Sequence, residues 1–96
     1  MNYNLLCEQN MISDRDYGTK GIQITLSNGV LVSVVFGFGS YSNQGETTAE
    51  VAVIDRKQNW YVFSNGELVP CSNGADVNGY IKPDELVDIM YLAKQL

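Results

Sequence analysis

At 96 residues, 45% of them hydrophobic, the chain has the size of one domain, 1–96, with enough apolar side chain for a single core that needs no metal or disulfide. Eleven acids against six bases give a net charge of −5, spread thinly. That balance leaves no basic footprint for phosphate and argues against direct nucleic-acid binding. No apolar run approaches the ~20 residues of a membrane span, and Met1-Asn2-Tyr3-Asn4 lacks the basic start of a secretory signal, so the expected location is cytoplasmic.

Tyr3–Leu6 reads as a short first strand, and residues 7–20 as a polar loop. Within it, Asp14-Arg15-Asp16-Tyr17-Gly18 has the opening acids of a calcium loop. Tyr17-Gly18 nevertheless stands where a further oxygen ligand belongs, and no glutamate arrives at the twelfth position, so a solvated loop is expected and no metal site. The centre of the chain is a hairpin: a strand Gly21–Leu26, a Ser27-Asn28-Gly29 turn and a strand Val30–Phe36. With Asn28 and Gly29 as a two-residue loop, Leu26 faces Leu31, Ile24 faces Ser33 and Ile22 faces Val35. The second strand is then apolar on both faces, as a doubly covered central strand would be.

A glycine-rich connection follows over residues 37–47. Thr48–Asp55 alternates, with Ala49, Val51 and Val53 on one side and Glu50, Ala52 and Ile54 on the other, as a third core strand. Arg56-Lys57-Gln58-Asn59 is a polar turn, Trp60–Phe63 a fourth strand, Ser64-Asn65-Gly66 a turn, and Leu68-Val69 a short strand, with Pro70 demoting what comes next to an edge or loop. Ser72-Asn73-Gly74 and Asn78-Gly79 add two more turn signals, and four Asn-Gly pairs in one small chain predict local antiparallel pairing. Pro83 suits a helix first turn, with Asp84, Glu85 and Asp88 near its positive end and Lys94 near its negative end. Leu86, Ile89, Met90, Ala93 and Leu96 form its apolar stripe. The fold class is therefore α+β, an antiparallel β-meander of about five strands with a C-terminal helix packed on one face.

Catalytic chemistry is poorly represented. Histidine, the usual neutral-pH base, is absent, and no nucleophile elbow, Walker loop or zinc spacing occurs. Gly37-Phe38-Gly39 follows a strand without a third glycine or a helix to open, so it does not read as a phosphate cradle. Cys7 and Cys71 have neither C-x-x-C spacing nor a histidine companion, and free thiols are expected. The reading is a non-enzyme without cofactor. Binding residues are sought in the 37–46 loop, where Phe38 and Tyr41 stand among glycines with Asn43 and Glu46 beside them. Trp60 and Tyr61 alternate across a strand, so one should face the core and the other outward. Arg56 is a candidate for an anionic ligand.

The stretch Val32-Ser33-Val34-Val35-Phe36-Gly37-Phe38-Gly39-Ser40-Tyr41 resembles a V-S-V-x-F-G-x-G-x-Y strand and loop found in small uncharacterised accessory proteins of tailed bacteriophages. Ala49-Glu50-Val51-Ala52-Val53 and Gly79-Tyr80-Ile81-Lys82-Pro83-Asp84-Glu85 extend the resemblance to about two thirds of the chain. Ser40 and Ser42 stand where such proteins commonly carry Asn and Cys. The resemblance implies a phage-type accessory protein, acting in the host cytoplasm, that binds and inhibits a host bacterial defence protein. Two alternatives remain open: a homo-oligomeric sponge that sequesters a nucleotide-type small molecule of a defence system, and a structural or assembly module.

Overall fold

The computed structural model describes residues 13–14, 20–36, 47–72 and 74–96. Seven antiparallel strands and one helix account for most of them: β1 Ser13–Asp14, β2 Lys20–Thr25, β3 Leu31–Phe36, β4 Ala49–Ile54, β5 Trp60–Ser64, β6 Glu67–Pro70, β7 Asn78–Ile81 and α1 Pro83–Ala93. β1 to β6 lie side by side in chain order, and β7 pairs with β4. The expected α+β meander with a C-terminal helix is thus the fold. The proposed Tyr3–Leu6 strand and the 37–46 loop fall outside the described residues.

The central hairpin forms, but in a register one residue away from the expected one. Ile24 lies opposite Val32, Ile22 opposite Val34 and Thr25 opposite Leu31. The cause is a three-residue loop in place of a two-residue one. The Leu26 N–H donates to the Val30 carbonyl (2.8 Å), the Gly29 N–H donates to the Leu26 carbonyl (2.9 Å), and Gly29 alone of the turn residues takes a positive φ, 86°. Since strand side chains repeat every two residues, this slip decides which face each one occupies. Ile22, Ile24 and Leu26 now share a face with Val30, Val32 and Val34, where the two-residue loop would have divided them from those valines. Leu26, Val30, Val32 and Val34 are buried, whereas Leu31, Ser33 and Val35 are half-buried. The picture of β3 as equally covered on both faces is accordingly corrected to one fully buried face.

Val51 and Val53 of β4 extend that face, and the helix closes it with Ile89 and Ala93, all four completely buried. Leu86 and Met90 pack against the same cluster, as the apolar stripe predicts. Leu96, the stripe's last expected member, lies past the helix end and is exposed. α1 starts behind Lys82, whose backbone N–H donates to the Glu85 carboxylate (2.9 Å), half of a capping box, with Pro83 in the first turn. Its other end is tied to the hairpin tip. Asn28 Nδ2 donates to the Ala93 carbonyl at 2.9 Å while Asn28 Oδ1 accepts the Val30 N–H at 3.1 Å, so one side chain shapes the turn and satisfies a helix C-terminal carbonyl.

The Asp55–Asn59 connection repeats the three-residue design. The Asp55 N–H donates to the Asn59 carbonyl and the Gln58 N–H to the Asp55 carbonyl, with Gln58 at φ 71° in the position that Gly29 occupies in the first hairpin. A side chain there is strained, at a cost on the order of 1 kcal/mol. Gln58→Gly is therefore expected to raise the denaturant midpoint by an amount equivalent to a few tenths to about 1 kcal/mol. An unchanged or lower midpoint would show that no strain is held at this position. Among the described residues, Asn65 and Gly66 form a two-residue turn, both at positive φ (52° and 80°), closing the Ser64–Glu67 pair.

Candidate functional site

Asn78-Gly79, expected as a turn, instead opens strand β7, and this rearranges the middle of the sheet. β4 pairs with β5 only at Val53–Tyr61 and Ile54–Trp60; further along the same edge it pairs with β7, at Val51–Asn78 and Ala49–Ile81. β5 therefore splays away from β4, and β7 enters the opening. The residue at the fork is Asn78, only 7% exposed. Its Oδ1 accepts the Phe63 N–H at 2.7 Å, and its Nδ2 donates to the Val51 carbonyl at 3.1 Å and the Tyr61 carbonyl at 3.4 Å. One amide side chain thus replaces the ladder bonds that the diverging strands give up, and no buried side-chain polar atom among the described residues lacks a partner. Between the two pairs, Gly79 and Tyr80 oppose the single residue Glu50, a bulge in which Tyr80 takes φ 55°.

The sequence-predicted site residues are distributed by this framework. Phe38, Tyr41, Asn43 and Glu46 lie outside the described residues. Trp60 and Tyr61 divide between the two faces, as their alternation requires. Tyr61 lies opposite Val53, on the covered face, and packs against the core cluster; Trp60 lies opposite Ile54, on the other face, half-buried. Trp60 continues a cross-strand row from Leu31 and Ile54, and its carbonyl accepts the Cys71 N–H at 2.8 Å. Arg56 is exposed at the tip of the β4–β5 turn, its stem 3.0–3.3 Å from where a Cβ on Gly29 would stand. The two hairpin tips therefore meet at Gly29 and Arg56.

Two polar groups are strongly organised, and both serve the fold. Asp55 Oδ1 accepts the N–H groups of Lys57 (2.8 Å) and Asn59 (2.9 Å), while Oδ2 accepts from Asn59 Nδ2 (3.1 Å) and the Tyr61 hydroxyl (3.0 Å). These donors, the Asn59 backbone N–H first among them, hold the Asp55 carboxyl below its ordinary value of 3.8. Burial and the neighbouring Asp55 push the Tyr61 hydroxyl up, so it stays protonated and donating. Because the Asp55 pKa is lowered by folding, its contribution is complete above 3.8 and fades as pH falls through the lower folded value. The wild type is expected to lose stability over that acid window by more than Asp55→Asn does, read from denaturant midpoints against pH. Parallel curves would show that the carboxylate's charge is irrelevant to the turn. Cys71 is half-buried and free; burial, with the Asp76 charge, raises its thiol pKa, which makes it a poor nucleophile.

Two concave regions adjoin these elements. A groove of about 250 Å³ opens between the sheet and the first turn of α1, lined by Val34, Phe36, Thr48, Ala49, Ile81 and Leu86. A second, of about 340 Å³, lies against Val62, Val69, Cys71 and Ala75. The first is lined mainly by apolar side chains, whereas the second brings Ser72 and Asp76 beside Cys71, whose raised thiol pKa weakens it as a nucleophile. Among the described residues no three His, Cys, Asp or Glu side chains converge for a metal ion. No described helix is long and apolar enough to cross a membrane.

The surface feature that sequence reading missed is on α1. Asp84, Val87, Asp88 and Tyr91 are spaced i, i+3, i+4, i+7 and form one exposed face, opposite the core face that Leu86, Ile89, Met90 and Ala93 form with the same spacing. Val87 is 66% and Tyr91 61% exposed. The signal was available: both residues fall outside the apolar stripe, at positions where a solvent-facing helix favours Ala, Lys or Glu. No protein-family model, curated protein or solved structure matches the chain.

Proposed function

We propose that this chain is a non-enzymatic protein-binding module, a phage-type accessory protein that engages and inhibits a bacterial host defence protein in the cytoplasm. The observation that carries the binding role is the outer face of α1. A valine and a tyrosine one helical turn apart stand in solvent, where they add nothing to the core, and two carboxylates border them. Such a face fits helix-in-groove recognition, with Val87 and Tyr91 as the i, i+4 anchors. The flanking Asp84 and Asp88 select a partner groove rimmed by lysine or arginine, and the chain's net charge of −5 favours the same encounter. The inhibitory role rests on the resemblance to phage accessory proteins.

The test couples capture to effect. The tagged protein is used to recover partners from bacterial lysate, and the activity of each recovered protein is then measured with and without the purified chain. Val87→Ala with Tyr91→Ala alters only exposed positions and is expected to leave stability within about 0.5 kcal/mol of wild type. Its capture and inhibition should fall at least about tenfold, the loss of one anchor's worth of binding energy. Full inhibition by the double variant would remove α1 from the interface. A stable oligomer that is thermally stabilised by cyclic dinucleotides, with no protein captured, would replace the proposal with the nucleotide-sponge reading.

A further inference from the structure

We infer that the Asn65-Gly66 turn is a self-modification site, at which the backbone nitrogen of Gly66 displaces the Asn65 side-chain amide. In this reaction the Gly66 nitrogen bonds to Asn65 Cγ, the Cγ–Nδ2 bond breaks, and the proton lost from the Gly66 nitrogen is balanced by one gained as ammonia departs. The cyclic imide then takes up water and opens at either carbonyl, giving aspartate or isoaspartate. Only water and an ordinary base are required.

Every Asn-Gly pair has the short glycine neighbour that this attack needs, so geometry must discriminate among them. At Asn28-Gly29 both reacting groups are occupied: Asn28 Nδ2 donates to the Ala93 carbonyl at 2.9 Å, and the Gly29 N–H donates to the Leu26 carbonyl at 2.9 Å. At Asn78-Gly79 the amide is buried, with hydrogen bonds from both of its ends into β4 and β5. Asn65-Gly66 is different in each respect. Both residues are exposed, the Asn65 side chain makes no hydrogen bond among the described residues, and the Gly66 N–H donates to no backbone carbonyl. The space beside Gly66 is open, with no atom within 4 Å of where a Cβ would stand. Among the described residues nothing restrains leaving group or nucleophile, at a hairpin tip where Ser64, Asn65, Gly66 and Glu67 are all exposed.

The products have unequal consequences. Aspartate still suits a turn of this type and adds a negative charge two residues from Glu67. Isoaspartate puts an extra backbone atom into a two-residue loop that has to close the Ser64–Glu67 pair.

The experiment ages the folded, full-length chain in mildly alkaline buffer, with a denatured sample alongside. Conversion at each asparagine is followed by peptide mapping with isoaspartate-sensitive fragmentation. In the folded chain residue 65 should convert faster than residues 28 and 78, by about tenfold for each ~1.4 kcal/mol of opening free energy that the two restrained sites require. In the denatured sample the three rates should converge. Asn65→Gly, which keeps a turn-compatible pair, should remove the early product. Conversion at residue 28 or 78 as fast as at residue 65, or an intact residue 65 in a folded chain whose denatured form converts, overturns the inference. Asn73 lies outside the described residues, and its rate enters neither outcome.

Discussion

Asn78→Ala is expected to cost roughly 2–5 kcal/mol, a large share of the stability of a domain this size. The magnitude follows from what the truncation leaves behind. The Phe63 N–H and the Val51 carbonyl lose bonds of 2.7 and 3.1 Å at a fork where no neighbouring strand can replace them. Each buried backbone group left unpaired costs about 1–3 kcal/mol. Asn78→Asp provides a sharper version. One carboxylate oxygen can still accept from Phe63, but the other would face the Val51 and Tyr61 carbonyls without a proton to donate. Burial and those carbonyls would raise the folded pKa of the introduced acid above its unfolded value of about 3.9. Its destabilisation should be greatest above the folded pKa and should shrink as pH falls toward the unfolded one. Denaturant unfolding of both variants across pH provides the check. An Asn78→Ala loss below about 1 kcal/mol, or a pH-independent Asn78→Asp, would mean that the fork is held by other contacts.

The second large effect is at the helix–sheet contact. Ile89 is completely buried against a cluster that includes Val32, Val51 and Val53. Ile89→Ala should therefore cost about 2–5 kcal/mol, the transfer free energy of the lost methyl groups plus the cavity they leave. Each 1 kcal/mol of that loss corresponds to a fall of about 4–8 °C in melting temperature for a domain of this size. The neighbouring Met90→Ala removes a side chain that is only half-buried and should cost less. Equal losses at the two positions would indicate that α1 lies on the sheet with a different face. Taken with the Val87/Tyr91 double variant, the series separates the inner and outer faces of one helix: the first lowers stability and the second lowers binding.

These two predictions also show where sequence reading succeeded and where it stopped. The helix stripe was legible because its period is intrinsic to the chain: side chains at i, i+3, i+4 and i+7 share a face wherever the helix is placed. The same holds for the alternation of β4 and for the division of Trp60 and Tyr61 between faces. Asn-Gly pairs, by contrast, are only permissive. Asn65-Gly66 makes the two-residue turn that the dipeptide suggests, yet Asn28-Gly29 sits in a three-residue loop and Asn78-Gly79 lies in a strand.

What selects among those outcomes is remote in the sequence. Asn28 is bonded to the end of α1, 65 residues away, and the register that this turn sets gathers Ile24 and Leu26 with Val32 and Val34 under the helix. Asn78 is taken into the sheet because β5 leaves β4 after two pairs and exposes backbone groups that need a donor and an acceptor. Local pattern therefore determined most strands and the helix, since backbone sterics and side-chain period act within a few residues, whereas β1 and β7 occupy segments that read as a loop and a turn. Tertiary structure alone decided the hairpin register and the insertion of β7, because each depends on which backbone groups and apolar faces remain unsatisfied once distant elements have met.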